Sequence, residues 1–392
     1  MKKVYLDHSA TSMVDERVVE AMLPFFNEKY GNASSLHTMG QTAHDALDKA
    51  REKVAHVLNC DPQEIIFTSG GTESNNTALK GVAFSQLKKK EKTHIIVSQI
   101  EHDCVLNTCK WLKPFGFEID YLPVDEYGLV HEESLETMIK KETALVSIMH
   151  SNNEIGTIQD IKALSKIAHD YGAYFHTDAV QSVTKVPVDV DHMGVDMLSV
   201  SSHKLHGPKG VGCLFVKKGT VLDPLMHGGG HERGFRSGTE NIPGIVGLGE
   251  AMFIGEKERP AEMARVAALR DQLLKGLSSI EDSWLNGHPE KRLPFNAHFC
   301  FKYIEGESLV LRLSMKGIYT STGSACSSKS LEASHVLLAI GLPPEDAHSS
   351  LRITLGKDNT PQDIEYTLEI LPQVVADLRE MSPFKATQYY KN

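Results

Sequence analysis

The sequence predicts an α/β protein, a large domain built on a mostly parallel sheet followed by a smaller α+β domain. Three observations carry this. From about residue 16 to 255, short apolar β-branched runs alternate with amphipathic stretches of helical period. From about 258 onward the pattern changes, and charge-rich helical stretches (260–280, 361–381) surround shorter strand-like runs (297–301, 351–355). Finally, 392 residues suit two domains, each with a sizeable core. The large domain is placed at 16–257 and the small one at 258–392, with the N-terminal segment 1–15 joining the small domain.

Taken in order, 64–69 reads as a strand, followed by Gly70-Gly71-Thr72 and a helix over about 73–85. A second strand, 94–98, leads to Glu101-His102 at the start of a helix, and a third, 144–149, leads to Asn152-Asn153-Glu154. Residues 173–177 form a fourth and run into Asp178, with Gln181 three positions on. The apolar run 197–200 then stops in Ser201-Ser202-His203-Lys204, where Gly207-Pro208 and Gly210 bend the chain before the run 211–216. Ligands of open α/β sheets bind at the carboxyl ends of strands, so five polar clusters at successive strand ends describe one pocket assembled from several loops.

Composition narrows the function. A net charge of −10 argues against nucleic acid or an anionic membrane as the main partner, and no run of about 18 apolar residues is present. Met1-Lys-Lys-Val-Tyr-Leu-Asp turns acidic too early for a secretory signal, so a cytoplasmic protein is expected. The six cysteines (60, 104, 109, 213, 300, 326) form no CxxC pair and no disulfide-like spacing. His227-Gly-Gly-Gly-His231 has turn glycines between its histidines and no completing carboxylate set, so no metal is expected.

The chemistry centres on Lys204. A lysine where a strand gives out can be partly desolvated, which makes its amine a usable Schiff-base nucleophile; the stretch alone fits a solvated loop lysine equally well. Gly70-Gly71-Thr72 at a helix start offers backbone N–H groups and a positive dipole end to a phosphate, or is simply a cap. Ser201 and His203 can add donors. Asp178 can pair with a protonated ring nitrogen and Gln181 with a ring oxygen, while His102 either stacks on the ring and moves protons or caps a surface helix. A Schiff-base lysine, an aspartate for a pyridinium nitrogen and a phosphate seat are together what pyridoxal 5'-phosphate requires. A second reactive element is Thr320-Ser-Thr-Gly-Ser-Ala-Cys-Ser-Ser-Lys-Ser330, whose small polar residues read as a mobile loop carrying Cys326. Lys329 nearby favours the thiolate, and an incidental surface thiol is the alternative.

Several of these stretches resemble the cysteine desulfurases, pyridoxal phosphate enzymes of aminotransferase class V. They are Ser202-His-Lys-Leu-His-Gly-Pro-Lys-Gly210, Thr177-Asp-Ala-Val-Gln181, His227-Gly-Gly-Gly-His-Glu-Arg-Gly234 with Arg236-Ser-Gly-Thr239, and Ser324-Ala-Cys-Ser327. Tyr5-Leu-Asp-His-Ser-Ala-Thr11, Gly31-Asn-Ala-Ser-Ser-Leu-His37 and Asn152-Asn-Glu-Ile-Gly156 extend the resemblance over nearly the whole chain. It implies the type I fold of pyridoxal phosphate-dependent transferases and the branch serving iron–sulfur assembly or nitrogenase maturation.

By the same resemblance, Lys204 holds the cofactor aldehyde as an imine, Asp178 meets the ring nitrogen, Gln181 the ring oxygen, and His102 stacks and transfers protons. Gly71, Thr72, Ser201 and His203 belong to the cofactor site, with Thr239 reaching the phosphate from the partner subunit of a homodimer. Asn153 and Arg352 bind the substrate carboxylate, although Arg352 unaided reads as an edge-strand charge. Cys326 accepts the sulfur of L-cysteine and passes it to an iron–sulfur scaffold protein or another acceptor protein. The same-fold rivals, an aminotransferase or a sulfide- or selenide-releasing lyase, need no loop thiol; a non-catalytic scaffold-binding protein needs neither Lys204 nor Asp178. His8 and Ser9 stand where many relatives carry asparagine or a second small residue. Members of this branch often extend further past the last helix into a scaffold-docking tail, whereas this chain ends at Asn392.

Overall fold

The structure, a computed structural model, describes residues 2–89, 91–323 and 333–383. Twelve strands are named in chain order among these residues. They are β1 (Val4–Tyr5), β2 (Ile65–Thr68), β3 (His94–Ser98), β4 (Glu118–Leu122), β5 (Thr143–Ser147), β6 (Tyr174–Asp178), β7 (Met197–Ser201), β8 (Gly212–Val216), β9 (Ser283–Leu285), β10 (Asn296–Phe301), β11 (Ile318–Tyr319) and β12 (Ser350–Thr354). Seven form the main sheet in the order β2-β8-β7-β6-β5-β3-β4, and only β8 runs against the rest.

Both faces of this sheet are covered, which is why its strands read as continuous apolar runs. The side chains still alternate. Ile95 and Val97 enter one buried cluster with Ala78, Val82 and Val105, while Ile96 enters the opposite one with Val146, Phe175 and Leu198. All three β3 residues are fully buried, and truncating one such isoleucine to alanine costs about 2–5 kcal/mol.

The chain order reverses between β3 and β5, so the topological switch point lies there, flanked by the segments that carry His102 and Asn153. Helix Gly71–Lys89 starts at the phosphate turn itself, two residues earlier than its side-chain pattern predicts. The predicted helix 260–280 is the second half of a longer one, Ile242–Leu277. Its first half packs Ile242, Ile245 and Leu248 on the main-sheet side, and its second half packs Val266, Leu269 and Leu273 against β10 and β12. The expected boundary after residue 257 falls inside this helix, between those two stretches.

A second, three-stranded antiparallel sheet has the order β12-β10-β9. The N-terminal segment joins it: β1 pairs with β11, and the Ser9 N–H donates to Thr354 Oγ1 at 3.0 Å. Strands β4 and β9 escape sequence reading because their apolar runs are interrupted, as in Glu118-Ile-Asp-Tyr-Leu122.

The glycine-rich segment 227–239 is pinned at several points, among them the Arg233 guanidinium donating to the Ile65 carbonyl at 2.6 Å. Glu232 (φ 48°) buries its carboxylate against the Arg51 guanidinium at 2.7 Å and accepts the Phe67 N–H at 2.9 Å. Arg236 then pairs with Glu73 at 2.9 Å, in the first turn of helix Gly71–Lys89.

Candidate active site

At the end of β2 the chain turns through Gly70, whose φ of +149° favours glycine, into the first turn of helix Gly71–Lys89. A Cβ on Gly71 would lie 2.9 Å from Val180 Cγ2 and 3.6 Å from Ser201 Cβ. Glycine therefore brings this helix N-terminus against the ends of β6 and β7. The unsatisfied N–H groups of the first turn, Thr72 among them, and the buried Ser201 form one anion seat. His203 is half-buried, its Nδ1 3.2 Å from Thr11 Oγ1. Burial, with Lys204 and Lys209 adding, lowers its pKa to about 4, so its imidazole is neutral at pH 7.

Asp178 ends β6 and is 6% exposed. Its Oδ1 accepts the Val180 N–H at 2.9 Å, and its Oδ2 accepts Asn75 Nδ2 at 2.6 Å. Asn75, one turn into helix Gly71–Lys89 and fully buried, is a functional position that sequence reading missed. No local signal marks it, since its neighbours Ser74, Asn76 and Thr77 are polar as well.

His102 caps helix Asp103–Leu112, its Nδ1 accepting the Cys104 N–H at 3.1 Å, and Cys104 Sγ lies 3.1 Å from both that nitrogen and Asn75 Nδ2. Behind it Glu101 is fully buried and receives the Ser98 hydroxyl at 2.6 Å and the Met149 N–H at 2.7 Å on one oxygen. Burial, reinforced by the Asp178 charge, pushes its pKa up to about 8, so it stays protonated at neutral pH.

Lys204 closes a single 3-10 turn after β7. Its ammonium donates to the Ala10 carbonyl at 2.7 Å and to the Ser9 carbonyl, and Gln181 Nε2 donates to the same Ser9 carbonyl at 3.0 Å. Lys204 and Gln181 thus converge on one atom of the N-terminal segment. That segment is stitched to the lysine turn by Ser12 Oγ donating to the His203 carbonyl and the His206 N–H donating to Ser12 Oγ, both at 2.8 Å. His8 is buried against Gly356, where a Cβ would fall 2.2 Å from its ring. His8 and Ser9 therefore have a role that sequence reading did not see: they seat the strap whose carbonyls hold Lys204.

Arg352 stands on the edge strand of the small sheet yet is 3% exposed, because residues 7 and 321 bridge over it. Its Nη1 donates to the carbonyls of Asn153 (3.0 Å) and Gly323 (3.3 Å), its Nη2 pairs with Asp7 at 2.9 Å, and its buried Nε has no partner among the described residues. The solvated edge-charge alternative is thereby excluded. Asn153 touches Arg352 through its main chain. Thr239 is exposed on its glycine-rich segment. Cys326 lies outside the described residues.

These features define a class: an α/β enzyme with a lysine, an aspartate and a helix-N-terminal anion seat at the carboxyl edge of one sheet, next to a buried arginine from the small sheet. The model of the class-V aminotransferase family matches residues 4–367, and the chain belongs to that family. It is 52% identical over 388 residues to "Cysteine desulfurase IscS" of Methanosarcina thermophila, covering 99% of this chain and 96% of that protein. The protein of the same name from Dictyoglomus turgidum is 52% identical over 385 residues, covering 98% and 97%. Among solved structures, a NifS-like protein superposes with a TM-score of 0.91 at 42% identity over 96% of this chain and 100% of its own. SspA in complex with cysteine gives a TM-score of 0.81 at 38% identity, covering 91% of this chain and all of that one.

Proposed function

We propose that this chain is a pyridoxal phosphate-dependent cysteine desulfurase, converting L-cysteine to L-alanine and leaving the sulfur on Cys326 as a persulfide. The observation that carries the reading is the convergence of Lys204 and Gln181 on the Ser9 carbonyl, with Asp178 and the Gly71–Thr72 helix start on the same sheet edge. Pyridoxal phosphate fits these residues. The donor set is one amine, one carboxylate held by two N–H donors and a glycine-built helix N-terminus, with no metal-type ligand cluster among them. Lys204 would anchor it, Asp178 and Gln181 would hold its ring, and Thr72, Ser201 and His203 its phosphate. When bound, it supplies an electron sink for the pair released at the substrate Cα.

The protein's own groups do the rest. Arg352, with one buried N–H unpartnered among the described residues, takes the substrate carboxylate beside Asn153. Lys204 or His102 moves the Cα proton. The Cys326 thiolate attacks the substrate sulfur, the Cβ–S bond breaks, and the carbon side takes up a proton to end as alanine. Thr239 completes the phosphate site of a second subunit; the exposed apolar side chains Leu23, Phe26, Tyr30 and Leu36 support a homodimer face. The persulfide passes to an iron–sulfur scaffold protein or another acceptor. Among the described residues no helix is long and apolar enough to cross a membrane, and a cytoplasmic site belongs to the same proposal. So does a division into domains at about residue 257.

The test pairs two substitutions. Wild-type protein is yellow, forms alanine from cysteine and carries one extra sulfur on the Cys326 peptide by mass spectrometry after a single turnover. Lys204→Ala loses the borohydride-trappable cofactor, and Cys326→Ala keeps cofactor and substrate binding but loses sulfur transfer. Undiminished alanine formation by Cys326→Ala would point instead to a sulfide-releasing lyase.

A further inference from the structure

Cys104 is a thiol inside the site with no part in the reaction derived above. Its Sγ lies 3.1 Å from Asn75 Nδ2 and 3.1 Å from His102 Nδ1. The donors and acceptors along this line are determined. Asn75 Nδ2 donates to the Asp178 carboxylate at 2.6 Å, and an amide turned the other way would set its oxygen against that carboxylate. Nδ2 is therefore the atom that meets Cys104, and Sγ accepts from it. The buried Asn75 Oδ1 has no partner among the described residues, so these two donations set the amide.

On the other side, His102 Nδ1 receives the Cys104 backbone N–H at 3.1 Å. A backbone N–H can only donate, so Nδ1 carries a lone pair and the ring proton is on Nε2. The thiol, 3.1 Å from Nδ1, can then only share that one lone pair with the backbone N–H. The line runs Asp178 carboxylate, Asn75 amide, Cys104 thiol, His102 imidazole, with Asn75 Nδ2 donating outward to both Asp178 and Cys104 and the thiol facing His102 Nδ1. Asp178 thus fixes the amide, the amide fixes Sγ, and Sγ bears on the ring.

We propose that the Cys104 thiol is a positioning group for His102. It joins Asn75, and through it Asp178, to Nδ1, and holds the ring with its proton on Nε2 ready for donation to substrate. This inference rests on the reading of His102 as a proton-transfer group in desulfuration. Cys104 itself forms and breaks no bond. A serine makes the same two contacts with a shorter reach, whereas alanine leaves the second Asn75 N–H without that acceptor and removes the thiol's contact with the ring.

The experiment uses cofactor-loaded protein, with loading checked by absorbance, and follows alanine formation from L-cysteine. General acid–base groups contribute on the order of 10²–10⁴ in rate, and misorienting one forfeits part of that. Cys104→Ala is expected to lower kcat roughly ten-fold with KM within about two-fold, and Cys104→Ser to restore most of the loss. In a His102→Gln background the alanine substitution should cost nothing more, since there is no ring left to position. A packing defect would act in both backgrounds. Wild-type kcat in Cys104→Ala, a serine variant as slow as alanine, or equal losses with and without His102 would each overturn the proposal. So would one extra sulfur on the Cys104 peptide after turnover, which would make the thiol a sulfur carrier. If the wild type forms no alanine, the desulfurase reading itself fails; an active wild type with an unchanged Cys104→Ala sinks this inference alone.

Discussion

His176 sits in the middle of β6 with no exposure, its Nδ1 2.8 Å from Ser147 Oγ on β5 and its Nε2 3.0 Å from Ser199 Oγ on β7. Burial drives its pKa from 6.5 down to about 3, so the folded protein keeps it neutral. The unfolded chain binds a proton there as the pH drops through 6.5, while the folded chain does not until about 3. Its contribution is thus fully present above 6.5 and is lost progressively on acidification. Between pH 7.5 and 5.0 that loss is about 2 kcal/mol for this one residue. His176→Gln retains a donor and an acceptor between the two serines but cannot titrate. Urea unfolding of both proteins at pH 7.5, 6.5, 5.5 and 5.0 should show the variant losing about 2 kcal/mol less than wild type over that interval, whatever its stability at pH 7.5. Parallel curves would mean that the ring is protonated in the fold, and would refute the argument.

Glu101 should behave with the opposite sign. Its folded pKa is raised to about 8 from 4.5, so it weakens the fold as pH rises between those values, by up to ~1.4 kcal/mol per pH unit, and Glu101→Gln should flatten the decline of urea midpoints from pH 6 to 8. Arg352→Lys removes a planar fork from a buried carboxylate seat and should raise KM for L-cysteine roughly 10- to 100-fold while leaving cofactor absorbance intact; an unchanged KM would place the substrate elsewhere. Glu232→Gln leaves the Arg51 charge buried without its partner and should cost about 3–5 kcal/mol in chemical denaturation, a loss under 1 kcal/mol being evidence that the segment 227–239 is held by other contacts.

The main sheet was legible because strands buried on both faces are mostly apolar, as 95–97 and, apart from Ser199, 197–200 are. The strand-end residues were legible for the complementary reason: His102, Asp178 and Lys204 are polar where apolar runs stop. What stayed hidden depends on contacts that span the chain. Nothing local marks Asn75 as the group that holds Asp178, 103 residues away. Arg352 has the local pattern of an exposed strand charge and is buried because the N-terminal segment and residue 321 lie across it. The role of Ser9 and Ala10 is played by main-chain carbonyls, which carry no residue code at all.

The N-terminal strap also orders events in time. Ser9 and Ala10 are among the first residues made, yet their lysine partner lies 195 and 194 positions later, and the hydroxyl that seats Ser9 is 345 positions away. At 5–20 residues per second, on the order of 20–70 s of synthesis separates Ser9 from Thr354. Through that interval the main sheet can already be collapsing while the amine of Lys204 lacks the carbonyls that fix its direction. Closing so long a loop comes late in folding, because its entropy is recovered only when both ends have somewhere to dock. A chain interrupted before Thr354 would therefore hold the sheet-edge half of the pocket, anion seat included, without the strap that aims the amine. Covalent capture of the cofactor would then be a report that the polypeptide is finished.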